Sequence, residues 1–254
     1  MMPTIDLNAD VGEGCGAGPD GGDAALIALV SSANIACGGH AGDARSMRRC
    51  LADCLAHGVS AGAHPSYPDR EGFGRRALDI APGHLHEALR EQILSLAGIA
   101  GSMGMRLGHV KPHGALYNHA AVDEGIAGLV VDAVVSVDPG MRLVGLAGSR
   151  LLAVARARGL RTLAEGFADR RYTRDGLLVP RAHPRALIED AAEATRQVVE
   201  LLAGRGVQSV DGVRVSVSID TVCIHGDGAH ALDFARGLRL ALEAGGVRVG
   251  APAP

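Results

Sequence analysis

The chain of 254 residues carries 25 basic side chains, of which 24 are arginine and one, Lys111, is lysine. Lysine is a compact charge on a flexible stem whose pKa falls readily on desolvation, whereas arginine keeps its proton and presents a planar fork. An amine held where the rest of the chain uses guanidinium is a candidate for chemistry, and its neighbours decide the matter. Lys111 lies in HVKPHGALYN, directly after a short apolar run and two residues before His113. Other apolar runs are followed by similar groups: Asn8, Asp10 and Glu13; His40 and Asp43; His64, Asp69 and Arg70; Glu165, Asp169 and Arg170; His225 and Asp227. Asn118 closes the segment after Lys111 and His113. Carboxylates, imidazoles and one amine suit the activation of water or the transfer of protons at a carbonyl. Lys111 would then stabilise developing negative charge, or act as a base if its pKa is depressed.

Taken singly, each of these residues has a local explanation. Asp43 and Asp227 fit as N-caps of following helices, and Asp10 and Glu13 fit as solvated turn residues. Their recurrence after six of seven apolar runs is what argues for a common site. Other chemistries find no support. The glycines of 12–18 follow a strand-like run but do not satisfy G-x-G-x-x-G, since the sixth position is Ala17 from Gly12 and Pro19 from Gly14. With its only lysine elsewhere, the chain has no G-x-x-x-x-G-K-[ST] phosphate loop, and no G-x-S-x-G elbow is present. His40, His64, His113, His225, Asp10 and Asp227 are suitable metal-ligand types. No i, i+4 histidine pair on one helix marks a centre, so no metal ligands are assigned and a divalent metal stays open.

The elements that must position these groups alternate along the chain. Short apolar runs at 4–7, 33–37, 59–63, 107–110, 143–146, 162–164 and 221–224 read as buried parallel strands. Segments of helical period fall between them at 44–57, 84–102, 125–137, 149–158, 184–203 and 229–243. Repeated strand-then-helix units predict an α/β fold with a parallel sheet and helices outside it. Polar groups at most strand ends favour a closed, seven-stranded (β/α) barrel over an open sheet, which would gather its site at one switch point. Residues 206–218 break the rhythm and read as a hairpin around Asp211-Gly212, inserted before the last strand, and the tail after Gly245 reads as loose. No linker is visible, so a single domain over 1–254 is expected.

Composition narrows the class further. The net charge of -3 argues against a nucleic-acid partner, and no run approaches 18 apolar residues, so no membrane span is expected. The N-terminal residues show no signal-peptide pattern, and five cysteines, an odd number, read as reduced thiols. Together these predict a cytoplasmic protein. Tyr67, Phe73, Tyr117, Phe167 and Tyr172 all lie in or beside the polar segments, which reserves most of the few large rings for one face.

Six stretches together resemble the LamB/YcsF family: IDLNADVGEG, SANIACGGHAGD, GAHPSYPDREGFGRR, VKPHGALYN, EGFADRRYTRDGLLVPR and CIHGDGAHA. They occur in order and span nearly the whole chain. The resemblance implies a barrel similar to the glycoside hydrolase and deacetylase folds. It also implies an ATP-dependent lactamase that opens 5-oxo-L-proline to L-glutamate, working with two partner subunits, B and C. With no phosphate loop here, ATP-dependent activation is expected from a partner. On this reading the catalytic set is Asp10, His64, Lys111 and His113. Asp10 or His64 would activate water, while Lys111 and His113 stabilise an anionic intermediate or phosphate. Asn8, His40, Tyr117, Glu165, His225 and Asp227 would line the substrate site, and Arg70, Arg76 or Arg170 would hold the substrate carboxylate. Two alternatives stay open: a metal-dependent amidase or deacetylase acting without ATP, and a non-catalytic, ligand-binding component.

Overall fold

A computed structural model of the chain describes residues 3–14, 22–224 and 231–252. Seven strands form the barrel: β1 (Thr4–Val11), β2 (Ser32–Ala36), β3 (Ser60–His64), β4 (His109–Val110), β5 (Arg142–Leu146), β6 (Thr162–Phe167) and β9 (Thr221–Ile224). Each pairs in parallel with the next, and β1 pairs with both β2 and β9, which closes the sheet on itself. All seven expected strands are present. The insertion before the last of them is the expected antiparallel hairpin, β7 (Val207–Gln208) with β8 (Arg214–Val215).

Helices α1 (Asp23–Ile27), α2 (Ala44–His57), α3 (Pro82–Ser102), α4 (Gly114–Val122), α5 (Glu124–Val137), α6 (Arg150–Ala157), α7 (Ala191–Leu202) and α8 (Ala231–Ala244) lie along the chain between the strands. In α2 the apolar residues Met47, Cys50, Leu51 and Cys54 recur at three and four, so one face is buried. Its start is fixed by Asp43, whose carboxylate accepts from the amides of Arg45 and Ser46 while the Ser46 hydroxyl caps in return. That leaves Asp43 with a structural task. Main-chain hydrogen bonds of the barrel hold the strands, and the apolar core fills the layer between strands and helices, with Leu7, Val11, Ile35, Leu51, Leu89, Leu96, Val131 and Leu143 among its buried members.

Three expectations need correction. Residues 184–190 are not helical, and α7 begins only after Asp190, whose side chain caps it. The tail expected to be loose forms β10 (Arg248–Val249), which continues the sheet beside the start of β1. Two short helices, α1 and α4, were not expected; α4 follows the His113 segment directly, and its nine residues carry apolar side chains on several sides and no one-sided periodic stripe.

The barrel interior departs from the usual branched aliphatic filling. Along β1 the residues alternate, with Ile5, Leu7, Ala9 and Val11 in the apolar layer and Asp6, Asn8 and Asp10 on the opposite face. Asp6 accepts hydrogen bonds from the hydroxyls of Ser31, Ser32 and Thr221 at 2.6–2.7 Å. Asn8 donates to Thr221 at 2.7 Å and to Glu165 at 3.0 Å. Asn34 donates to Asn8 and Asp10, both at 2.8 Å, and its oxygen meets His109 Nε2 at 2.8 Å. Gly62 sits on this face because His109 fills the space that a β-carbon would need. A buried polar network of this kind is tolerable only where its members are satisfied, and it fixes the orientation of the groups above it.

Candidate active site

Lys111 follows β4, and its chain crosses the interior to reach residues of β1, β6 and β9. Its Nζ stands 2.8 Å from Glu165 Oε1, 3.0 Å from Asp10 Oδ1, 3.2 Å from Asn8 Oδ1 and 3.1 Å from Cys223 Sγ. Burial is the largest influence on this amine and opposes its charge, but the two carboxylates outweigh it and hold the pKa well above the ordinary lysine value. Of the two roles open to Lys111, these surroundings favour a fixed ammonium that stabilises negative charge over a basic amine. The ring of Phe167 covers it, with Nζ 5.7 Å from the ring centroid.

Beside this ion cluster lies a group of imidazoles. His64, at the end of β3, places Nδ1 2.7 Å from the Lys111 carbonyl, which can only accept, so Nδ1 carries the hydrogen. Its Nε2 faces Asp10 Oδ2 at 3.3 Å and His113 Nδ1 at 3.0 Å. His113 is anchored in the same way, with Nε2 3.0 Å from the carbonyl of Phe73. Phe73 has a φ of 53°, unusual for a residue with a large side chain, and this turn aims its carbonyl at His113. Gly74, next in the chain with a φ of 62°, lies where a β-carbon would press on His40 and His113. His40 stacks on His113 with ring centroids 3.7 Å apart, and its Nε2 meets Glu13 Oε1 at 2.8 Å. Glu13 Oε1 is also 3.2 Å from His113 Nδ1.

Charges in this group are strongly coupled to burial. Desolvation pulls the His40 pKa down to about 4 and also lowers that of His113. It opposes the charge on His64 as well, but adjacent Asp10 outweighs it and raises that pKa. Burial works against the charge of Glu13, yet its contacts with His113 and His40 hold its carboxyl below the usual range.

Asp10, Glu13, His64, Lys111 and His113 open onto one cavity of about 540 Å³, completed by Tyr117, Asn118, Phe167, Arg75, Arg170 and Arg181. That volume lies in the range of small-molecule sites, roughly 300–1,000 Å³. Phe167 and Tyr117 meet edge to face at 5.9 Å on the apolar side. Arg170 is buried; its Nη2 donates to the Val179 carbonyl at 2.7 Å, and its Nε has no hydrogen-bond partner among the described residues.

The four residues expected to be catalytic, Asp10, His64, Lys111 and His113, are thus brought together. Of the expected substrate-site residues, Tyr117 and Arg170 line the cavity. Asn8 and Glu165 lie beneath it, and His40 backs His113. Two arginines are placed differently. Arg70 donates to the carbonyls of Gly38 and Gly42 at 3.0 and 2.9 Å, and Arg76 is paired with Asp69, so both tie loops together and neither lines the cavity. Arg75 takes their place at the wall. His225 and Asp227 lie outside the described residues. Asp6, Asn34, His109 and Cys223 were not anticipated, and Glu13 was read only as a polar residue at a strand end. For Asp6 the signal was the alternation of polar and apolar residues along β1, which marks a polar inner face.

A closed parallel barrel with this buried acid, imidazole and ammonium pocket defines a (β/α)-barrel protein with an enzyme-like site. The chain belongs to the LamB/YcsF family, whose profile matches residues 5–254. It is 51% identical over 249 residues to the A subunit of 5-oxoprolinase from Bordetella parapertussis, covering 98% of this chain and 99% of that one. A 5-oxoprolinase A subunit of Bordetella bronchiseptica is similar to the same extent, 51% identical over 249 residues. Among solved structures, the lactam utilization protein of Thermus thermophilus superposes with a TM-score of 0.90 at 41% identity, covering 98% of this chain and 100% of that one.

Proposed function

We propose that this chain is the A component of a 5-oxoprolinase. Working with B and C subunits, it carries the hydrolytic step in the ATP-dependent opening of 5-oxo-L-proline to L-glutamate. The observation that carries this reading is the fixed Lys111 ammonium in a pocket shared with Asp10, His64 and His113, in a chain 51% identical to proteins named for that component.

The chemistry follows from the groups present. A five-membered lactam is a resonance-stabilised amide and a poor electrophile. Transfer of a phosphoryl group from ATP to its oxygen activates the ring carbon, and a partner protein supplies that step because this chain has no phosphate loop. Water then attacks the ring carbon; the adduct collapses with cleavage of the ring C–N bond, the departing nitrogen taking up a proton, and a second water releases phosphate from the acyl phosphate that remains. Asp10 takes the proton of the attacking water: Lys111 and Asn34 anchor its Oδ1, while Oδ2 faces the imidazole group. His64 is the poorer acceptor, since Asp10 favours its protonated form. Lys111 stabilises the negative charge that develops on the adduct. Arg170, with Arg75 and Arg181 on the same wall, holds the substrate carboxylate against the apolar surface of Phe167 and Tyr117.

The decisive measurement is glutamate release from 5-oxoproline by the purified chain, with and without ATP and the two partner proteins. Turnover is expected only with every component present, and it is expected to fall by orders of magnitude with Asp10→Asn. Turnover by the chain alone, or a fully active Asp10→Asn complex, would refute this assignment.

A further inference from the structure

The imidazoles of His64 and His113 have an arrangement that the hydrolytic reading leaves unexplained. A neutral imidazole has a single N–H, and each ring directs one nitrogen at a main-chain carbonyl: His64 Nδ1 at Lys111 and His113 Nε2 at Phe73. With both rings neutral, their other nitrogens, His64 Nε2 and His113 Nδ1, are acceptors only 3.0 Å apart. Both also face carboxylate oxygens, since Glu13 Oε1 is 3.2 Å from His113 Nδ1 and 3.8 Å from His64 Nε2. Electron-rich atoms converging at these distances require a cation among them, either a proton or a metal.

The geometry points to a divalent transition-metal site formed by Glu13, His64 and His113 at the inner wall of the cavity. The ligand atoms of Glu13, His40, His64 and His113 all lie within 4.8 Å of one another. A tetrahedral zinc ion, with metal–nitrogen bonds of about 2.0–2.1 Å, spaces its ligands roughly 3.3 Å apart, a value bracketed by the 3.0, 3.2 and 3.8 Å separations here. Histidines that hold a metal characteristically give the remote N–H to a carbonyl or carboxylate, as both of these do. His40 lacks such an anchor, for its Nδ1 has no hydrogen-bond partner among the described residues, and it serves instead to orient Glu13 through the 2.8 Å contact and to brace His113 by stacking. Two imidazoles and a carboxylate select zinc, cobalt, nickel or manganese over magnesium or calcium, which prefer all-oxygen shells. Three protein ligands leave a coordination position open. All three ligands line the cavity, and Asp10 stands 3.3 Å from His64, within reach of a water bound there.

This inference deepens the hydrolytic reading by adding a cofactor to the same pocket, but its test does not depend on turnover. The full chain, purified without a histidine tag or chelator, is analysed for metal content, then stripped and titrated with Zn²⁺ and Co²⁺ by calorimetry and visible absorption. One ion per chain is expected, with a Co²⁺ spectrum of low-symmetry, nitrogen-ligated type and a rise in Tm on binding. Glu13→Gln and His113→Gln are each expected to weaken binding more than about 100-fold, and His40→Gln about tenfold with stoichiometry retained. Thermal melts of the metal-free variants establish that they fold. Absence of metal together with no Co²⁺ binding at micromolar concentration would overturn the site and assign the central cation as a proton. Unchanged affinity in a folded His64→Gln/His113→Gln double variant would overturn it equally. Retained ATP-dependent turnover by a metal-free complex would leave the assigned reaction standing while removing the metal from it.

Discussion

Lys111 Nζ is shared between Glu165 Oε1, at 2.8 Å, and Asp10 Oδ1, at 3.0 Å, so one cation drawn across the barrel bridges carboxylates from two strands. Removing the ammonium leaves both acids buried without their counter-charge, a change that costs about 3–5 kcal/mol when one partner of a buried pair is lost. Lys111→Met should therefore lower Tm sharply and abolish turnover by the complex. Adding Glu165→Gln should restore part of the stability and none of the activity. Lys111→Arg keeps the charge, but its planar fork does not fit a pocket built around a compact ammonium, so turnover should still be lost. Equal Tm values for Lys111→Met and the unmodified chain would show that the ion cluster does not support the fold.

Gly62 on β3 makes room for His109. A β-carbon there would overlap the imidazole ring, whose Nε2 is fixed by Asn34. Gly62→Ala should cost about 1–3 kcal/mol through overpacking. A second change, His109→Ala, should relieve the clash, so that the two substitutions are strongly non-additive in a double-mutant cycle. Additive losses in denaturant titrations would show that the ring moves freely and does not organise the interior.

Much of this architecture was legible because parallel strands buried on both sides leave short apolar runs, and helices between them repeat at three and four. The barrel and the pocket of Asp10, His64, Lys111 and His113 follow from that rhythm plus the polar residues at strand ends. The polar interior was harder to see. Asp6, Asn8 and Asp10 alternate with Ile5, Leu7 and Ala9, a period of two that reads equally as a half-exposed strand until closure turns the polar face inward. The pairing of Glu13 with His40 and His113 was out of reach, because it joins loops after three different strands and no spacing encodes it. Arg70 and Arg76 looked like anion ligands for the same reason: arginine type is visible in sequence, whereas the carbonyls and the Asp69 carboxylate that occupy them are not.

Asp69 gives the fold an acid limit. It accepts from Arg76 Nε at 3.1 Å and from the Gly72 amide at 2.9 Å, and chiefly the guanidinium holds its carboxyl at about 2. A carboxyl with an ordinary unfolded value of about 3.9 and a lower folded one binds more protons unfolded. Its contribution is therefore complete above that unfolded value and disappears as pH falls from there toward 2. Asp69→Asn should remove this part of the acid dependence, so that the gap in Tm between the two proteins narrows steadily between about pH 5 and pH 2. A gap that stays constant across that range would show that the ion pair does not stabilise the loop.

The arginines separate a loop role from a ligand role. Arg70 and Arg76 hold the segments around Gly38, Gly42 and Asp69, while Arg75 and Arg170 line the cavity. If a substrate carboxylate docks on the cavity wall, Arg170→Lys should raise KM for 5-oxoproline about tenfold or more while leaving Tm within a few degrees, because the bidentate fork is lost and the charge is kept. Arg70→Ala should do the reverse, lowering Tm through two lost hydrogen bonds to carbonyls with KM nearly unchanged. Steady-state kinetics of the reconstituted complex, with melting curves of each variant, read both effects. A higher KM in Arg70→Ala than in Arg170→Lys would move the carboxylate site away from this wall.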